Sequence, residues 1–473
     1  MKRAESLDAL RGLAIILMVL SSMEVFGILP AWMYHAQVPP PDHIFRPDLP
    51  GITWVDLVFP FFLFSMGAAF PFSIGRKMEK GTGKGRLVLD ATLRALRLVV
   101  FAIFIEHFYP WVIGTSSTAV NALLGIAAWA VMFLMYMRLP SVVPDKIGAG
   151  VKVAGYLAAI AMCCFVPFNG TPGLLQDPLA FVSKSNIIIL VLANMAFFAS
   201  IVYIFTRENM IARLLVLLVL AALAVSGLVF DGSWLRKALD WRPLPWLTAF
   251  DYLKYLFIVI PGTIAGDCLE LWMKDRVTLT GAKSWRAVLM IVLPVLLIVC
   301  NVVCLYGRFL IFNAVASAVL CITGIVLMNG AQSNEEVLWK RLFLLGCVLL
   351  VLGLCVEPLQ GGIHKDRATF SYFFVTSGLA TFALVAFHVI CDWYGALKAT
   401  GFLRLTGQNP MIAYSAGQLF VLPLLALVGV KDALLGACST SAWLGFFVQG
   451  CGLTALVVLT TMFFSKIKIF WRT

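Results

Sequence analysis

The chain has 473 residues, of which 61% are hydrophobic and only 13% charged, with a net charge of +12. Soluble domains carry roughly 25% charged residues, and polar atoms as scarce as these cannot cover a water-facing surface, so lipid is the solvent for most of the chain. The positive charge would point to nucleic acid or acidic ligands in a soluble protein; here it reads as loop Lys and Arg obeying the positive-inside rule, and no nucleic-acid partner is expected.

A spanning helix needs about 20 mostly apolar residues. In chain order the segments that meet this lie near 9–29, 52–75, 88–113, 117–138, 147–167, 186–206, 209–230, 253–273, 287–306, 309–330, 342–360, 371–393, 409–430 and 441–464. The expected fold class is therefore all-α: a polytopic transmembrane helical bundle of about 14 spans, within roughly 10–14, forming a single domain over 1–473. The start, Met1-Lys2-Arg3, superficially resembles a signal peptide. Glu5, Asp8 and Arg11 interrupt it and no small-x-small cleavage pattern follows Leu29, so it reads as an uncleaved first helix. With the N-terminus inside and an even number of spans, both termini fall in the cytoplasm. The basic stretch 76–97 and the tail residues Lys466, Lys468 and Arg472 then lie on the positive side. The longer loops 30–51, 168–185 and 231–252, rich in Pro, Trp and Asp, fall outside.

Most of the 11 cysteines sit in apolar runs with no CxxC or zinc-type spacing, so free thiols are expected and no metal site. The five histidines are His35, His43, His107, His364 and His388. All but His388 fall at or beyond the outer face, and neutral histidine is the usual general base near pH 7. Acids in or at the ends of apolar segments are Glu24, Asp56, Glu106, Asp267, Glu270, Glu357 and Asp392. Such groups are costly in lipid and either function or pair with a neighbouring Arg. Gly81-Thr82-Gly83-Lys84-Gly85-Arg86 lacks the spacing of a phosphate loop and reads as a basic loop. At the start of the first helix, Asp8 and Arg11 stand i, i+3 on one face. There an arginine held by a carboxylate can bind phosphate bidentately.

Several stretches carry a resemblance. Ser6-Leu7-Asp8-Ala9-Leu10-Arg11-Gly12, continuing to Val19, resembles the first helix of the heparan-alpha-glucosaminide N-acetyltransferase family, within the wider transmembrane acyltransferases. Asp56-Leu57-Val58-Phe59-Pro60, inside 51–67, is similar to that family's second helix. Gly407-Gln408-Asn409-Pro410 resembles its late Gly-x-Asn helix start, and Lys468-Ile469-Phe470-Trp471 its C-terminal ending. The resemblance implies vectorial acetyl transfer. Acetyl-CoA would be taken from the cytosol, and the acetyl group passed to the amine of a terminal glucosamine, as in glycosaminoglycan, on the far side. The family's essential histidine lies in a His-Ala context matched by Tyr34-His35-Ala36, so the resemblance points to His35. The Pro-rich insert 37–50 departs from the pattern and keeps His43 as the alternative. Ser21-Ser22 stand where the family tends to have Asn. The chain also has more helices than the family core, which makes 186–230 and 287–341 candidate inserted pairs.

A mechanism follows from these residues. Arg11, braced by Asp8, and the 76–97 cluster would take the donor's phosphates. The pantetheine arm would thread outward between helices. His35 or His43, oriented by Asp56, would deprotonate the amine or carry the acetyl group itself. Ser22 or Asn409 would supply donors to the tetrahedral oxyanion. The expected partners are the lipid bilayer, acetyl-CoA and an amino-sugar or polysaccharide acceptor, with a second copy of the chain as a further candidate; the expected location is a bacterial inner membrane. An O-acetyltransferase of envelope polysaccharide and, in another class, a secondary transporter remain alternatives.

Overall fold

A computed structural model of the chain describes residues 4–23, 29–139, 144–229, 234–241, 244, 246–274, 281–366, 368–431 and 441–472. Among them there is no strand beyond two isolated bridges, and each expected apolar segment contains a helix. These are α1 (Glu5–Ser22), α2 (Trp54–Glu79), α3 (Lys84–His107), α4 (Thr118–Tyr136), α5 (Asp145–Phe165), α6 (Ile187–Thr206) and α7 (Met210–Val229). They continue with α8 (Leu256–Lys274), α9 (Ser284–Tyr306), α10 (Leu310–Leu327), α11 (Asn334–Gln360), α12 (Phe370–Trp393), α13 (Pro410–Leu427) and α14 (Trp443–Lys466). Eleven helices among the described residues are long and apolar enough to cross a membrane. The charge-rich α1 and α3 fall outside that set, and α7 contributes only a shorter apolar run, Met210–Ser226. The chain is an all-α, polytopic, multi-pass protein. Glu24 lies outside the described residues.

The chain forms two compact units, each assembled from separated stretches of sequence. Unit 1 comprises Met1–Thr82, Thr206–Arg213 and Tyr255–Gly407; unit 2 comprises Gly83–Phe205, Leu214–Lys254 and Gln408–Thr473. The stretch 287–341 belongs wholly to unit 1, whereas 186–230 is shared between the two.

In unit 1, α12 is buried without a break from Val375 to Ala386, as befits a helix apolar all round. Helices gain nothing from hydrophobic exclusion inside lipid, so close backbone approach has to hold them together. Small residues allow it. A Cβ on Gly67 of α2 would collide with the Val259 carbonyl of α8, and one on Gly262 with the Phe64 carbonyl. The same device explains the glycine of the first motif: a Cβ on Gly12 would strike the Leu403 carbonyl, and one on Gly407 the Asp8 carbonyl. Polar groups are satisfied locally. The Glu5 and Ser6 amides at the start of α1 donate to the Asp392 carboxylate at 3.3 and 3.1 Å, while Arg404 pairs with Glu5 at 2.6 Å.

In unit 2, the Trp129 indole of α4 donates to Ser415 of α13 at 3.0 Å. The C-terminal segment crosses the end of α4, with the Arg472 amide on the Tyr136 carbonyl at 2.8 Å. Large apolar side chains such as Ile147, Leu157, Leu215 and Leu218 are exposed, the surface a lipid-facing helix presents.

Candidate active site

Helix α2 opens with Thr53 as its cap and Asp56 three residues on, a spacing at which a side-chain carboxylate folds back onto the cap amide. The Thr53 amide donates to Asp56 Oδ2 at 3.0 Å. The preceding loop returns to the same carboxylate: the Ala36 amide donates to Oδ2 at 3.1 Å. The Thr53 hydroxyl pins that loop by donating to the Tyr34 carbonyl at 2.7 Å. From below, the Tyr372 hydroxyl of α12 donates to the Asp56 carbonyl at 2.8 Å. Asp56 is thus fixed from three directions with its side chain only 2% exposed. The positive end of the α2 dipole adds to the same preference for a carboxylate there.

The remaining oxygen, Oδ1, meets His35 Nδ1 at 2.7 Å. With Nδ1–H donating to the carboxylate, Nε2 presents its lone pair, the state a general base or acyl-accepting imidazole requires. The His35 side chain is 39% exposed, whereas its carboxylate partner is only 2% exposed. Of the two histidines left as candidates for orientation by Asp56, His35 is the one brought to it, across 21 residues.

A third group arrives that the sequence did not single out. Lys365, in the segment between α11 and α12, places Nζ at 3.0 Å from His35 Nδ1, 3.3 Å from Nε2 and 3.8 Å from Asp56 Oδ1. Near-equal distances to both ring nitrogens set the ammonium against the ring rather than in line with one lone pair. Nothing local marked Lys365, since its partner lies 330 residues away.

His43 is placed differently. Its backbone has φ +49, and its ring packs edge-on to Tyr34, centroids 4.7 Å apart. Nearby, the Ile44 amide and then Arg46 hold the Asp42 carboxyl below the usual carboxylate range. The other histidines have structural surroundings. His364 faces the Gly362 and Asp48 carbonyls. His388 is buried and accepts from the Trp339 indole at 2.9 Å. His107, in unit 2, is buried and stacked on Phe181 at 3.8 Å.

Of the expected donor-binding residues, Asp8 and Arg11 do face each other, at 3.7 Å, and Arg11 Nη2 donates to the Ser65 carbonyl at 3.4 Å. Ser22 is exposed and its hydroxyl donates to the Val19 carbonyl at 2.8 Å. Asn409, in unit 2, is buried and spends its amide on the C-terminal segment, donating to the Ile469 carbonyl at 2.7 Å and accepting from the Trp471 amide at 3.2 Å. Ser22 and Asn409 each make these hydrogen bonds to nearby backbone. The intramembrane acids are largely accounted for by partners: Asp267 with Arg213 at 2.6 Å, Glu270 with Arg207 at 3.3 Å, Glu357 with Arg308 at 2.6 Å, and Glu106 with the Asn186 amide at 3.2 Å.

Among known proteins, a family model described as "Domain of unknown function (DUF5009)" matches residues 3–269, more than half of the chain. No curated protein matches it.

Proposed function

The chain belongs to the DUF5009 family, and we propose that it is a multi-pass membrane acetyltransferase that moves acetyl from cytosolic acetyl-CoA to the amine of a terminal glucosamine or related amino sugar on the opposite face. The observation that carries this reading is the 2.7 Å contact between a half-exposed His35 and a buried, rigidly held Asp56. A carboxylate that only stabilises a fold has no need of an accessible imidazole. A transporter acid would be expected to have access to its ion, whereas Asp56 is shielded behind the ring.

In this reading, both termini and the basic residues Arg76, Lys77 and Lys80 lie on the cytosolic side of a bacterial inner membrane. The donor's phosphates meet Arg11 there. The amine nitrogen attacks the thioester carbonyl carbon, forming an N–C bond, while His35 Nε2 takes its proton. The C–S bond then breaks, and the thiolate leaving group receives that proton. Asp56 holds the ring in the required tautomer and stabilises the imidazolium between the two transfers. His35 acting first as acyl acceptor uses the same geometry.

The test is acetyl transfer by the purified full chain in nanodiscs, from labelled acetyl-CoA to glucosamine, for the native sequence, His35→Ala and His43→Ala. Transfer that is lost only in His35→Ala supports the reading and names the base. Transfer to hydroxyl but not amine acceptors would convert it to an O-acetyltransferase. No transfer to either, with no coenzyme A binding, would sink it and leave a transporter in first place.

A further inference from the structure

We propose that Lys365 is a catalytic cation of this site, stabilising the negative charge that develops on the thioester oxygen, and that the Pro-rich insert 37–50 serves to hold it there. This rests on the acetyl-transfer reading given above.

The need comes from the chemistry. When the acceptor nitrogen bonds to the thioester carbon, the carbonyl π pair moves to oxygen. That oxyanion requires a donor or cation beside the base, fixed before the reaction begins. An imidazole whose only charged neighbour was Asp56 would offer the oxyanion a negative field. Lys365 corrects this. Its Nζ stands 3.0 Å from Nδ1 and 3.3 Å from Nε2, along the ring edge that joins them, and 3.8 Å from Asp56 Oδ1. Among the described residues, Asp56 and Lys365 are the charged side chains recorded as bonded to the His35 ring. Of the flanking groups on the Lys365 segment, His364 is turned to the Gly362 and Asp48 carbonyls.

A lysine on a loop is normally a poor catalyst, because its long flexible side chain has many rotamers to lose and its backbone wanders. Here the backbone is tied on both sides of Lys365. Gln37, only 2% exposed, accepts from the Asp366 amide at 2.9 Å and donates to the Asp366 carbonyl at 3.4 Å. The same amide nitrogen donates to the Pro47 carbonyl at 2.7 Å, closing the insert on itself, and the Arg46 amide returns to the Gln37 carbonyl at 2.8 Å. Two further ties flank the lysine. The Gly51 amide donates to the Ile363 carbonyl at 2.8 Å, and His364 Nε2 lies 3.3 Å from the Asp48 carbonyl. Gln37 is two residues from His35, so one short stretch of chain positions both the base and the cation. The insert that separates His35 from Gly51 thereby acquires a purpose: it is the clasp of the Lys365 segment.

The experiment compares native protein, His35→Ala, Lys365→Met, Lys365→Arg and Gln37→Ala in nanodiscs, measuring kcat and KM for acetyl-CoA and glucosamine alongside thermal melts. Lys365→Met is expected to lower kcat by about 100- to 1,000-fold, the usual cost of one oxyanion donor, with both KM values little changed. Lys365→Arg, which keeps the charge, should recover most of that loss. Gln37→Ala leaves the lysine in place but loosens it, and should cost kcat roughly 10-fold. If Lys365→Met fails to fold, Lys365→Gln replaces it in the same comparison. Native protein active, His35→Ala inactive and Lys365→Met within about threefold of native would overturn this assignment while leaving the transferase reading intact. Equal losses in Lys365→Met and Lys365→Arg would also overturn it, by showing that the segment's packing matters and its charge does not. An inactive native protein removes both proposals together.

Discussion

His35 of unit 1 and His107 of unit 2 invite the same sequence argument, since each is a histidine beside an apolar helix with an acid close by. The structure treats them as opposites. His35 is half-exposed and directs Nδ1 at a buried carboxylate 2.7 Å away. His107 is buried, with Nδ1 at 2.8 Å from the Ile103 carbonyl and its ring between Phe181 and Phe168. The adjacent acid, Glu106, bonds to the Asn186 amide instead, and Asn186 in turn accepts from the Tyr414 hydroxyl at 3.0 Å. A histidine whose proton is committed to its own helix backbone is a flat polar-edged ring filling a core. One whose Nδ1 meets a buried carboxylate while its side chain stays 39% exposed has the arrangement a general base needs.

The sharpest way to break this contrast is to make the same substitution at both positions. His35→Phe should abolish acetyl transfer, a fall of about 100- to 10,000-fold if the imidazole is the general base, with the protein still folded. His107→Phe keeps the stack on Phe181 and loses one hydrogen bond, so transfer should stay within about threefold and stability should drop by about 1 kcal/mol. Parallel melting curves and transfer rates decide it; equal rates in the two variants would end the distinction.

Next in size is Asp56→Asn. The substituted amide can still accept from the Thr53 and Ala36 amides, so α2 should start where it does now. The group facing His35 would become a donor and force the proton onto Nε2, the wrong tautomer for a base. A loss of about 100-fold or more in kcat with an unchanged melting temperature is expected. A rate close to native would mean that Asp56 is only the cap of α2.

The distribution of what the sequence revealed follows from how far apart the contacting residues are. Apolar runs of spanning length became helices because lipid leaves the backbone no other way to satisfy itself. His35 and Asp56 were candidates because the stretches that carry the family resemblance, Tyr34-His35-Ala36 and Asp56-Leu57-Val58-Phe59-Pro60, are local. Gly12 was read as part of a motif, but its reason, contact with the Leu403 carbonyl, lies far along the chain. Lys365 and Tyr372 carry no local signature; they matter only because folding brings them to Asp56. Asn409 entered through the resemblance of Gly407-Gln408-Asn409-Pro410 to a family helix start, and its contacts with Ile469 and Trp471, about 60 residues on, carried no local signal. The division into two units was illegible for a related reason: each unit is assembled from separated stretches, and periodicity says which face of a helix is apolar, never which helix will cover it.

A smaller effect is expected at Tyr372→Phe. The hydroxyl reaches the Asp56 carbonyl, one step removed from the reacting nitrogen. Its loss leaves a buried carbonyl short of a partner, which costs about 1–2 kcal/mol. The ring still fills its place beside Phe373. Transfer should fall by only about 3- to 10-fold, entirely in kcat, because a slackened Asp56 mispositions the imidazole without changing how either substrate binds. A change confined to KM would reassign Tyr372 to substrate contact.

The least perturbing substitution tests unit 2. Glu106→Gln preserves shape, and the side-chain oxygen can still accept from Asn186, so only the charge-assisted part of one hydrogen bond is removed. Interhelical hydrogen bonds in membranes average about 0.6 kcal/mol, and the stability change should be no larger. The Asn186–Tyr414 link survives, and transfer should be indistinguishable from native. That small outcome carries weight, because charges within apolar segments are expected to be functional and Glu106 is the acid that a reading by hydropathy would nominate beside Asp56. A rate lowered tenfold by Glu106→Gln at unchanged stability would show that this network takes part in the reaction, and the contrast between the two histidines would then mark two parts of one mechanism.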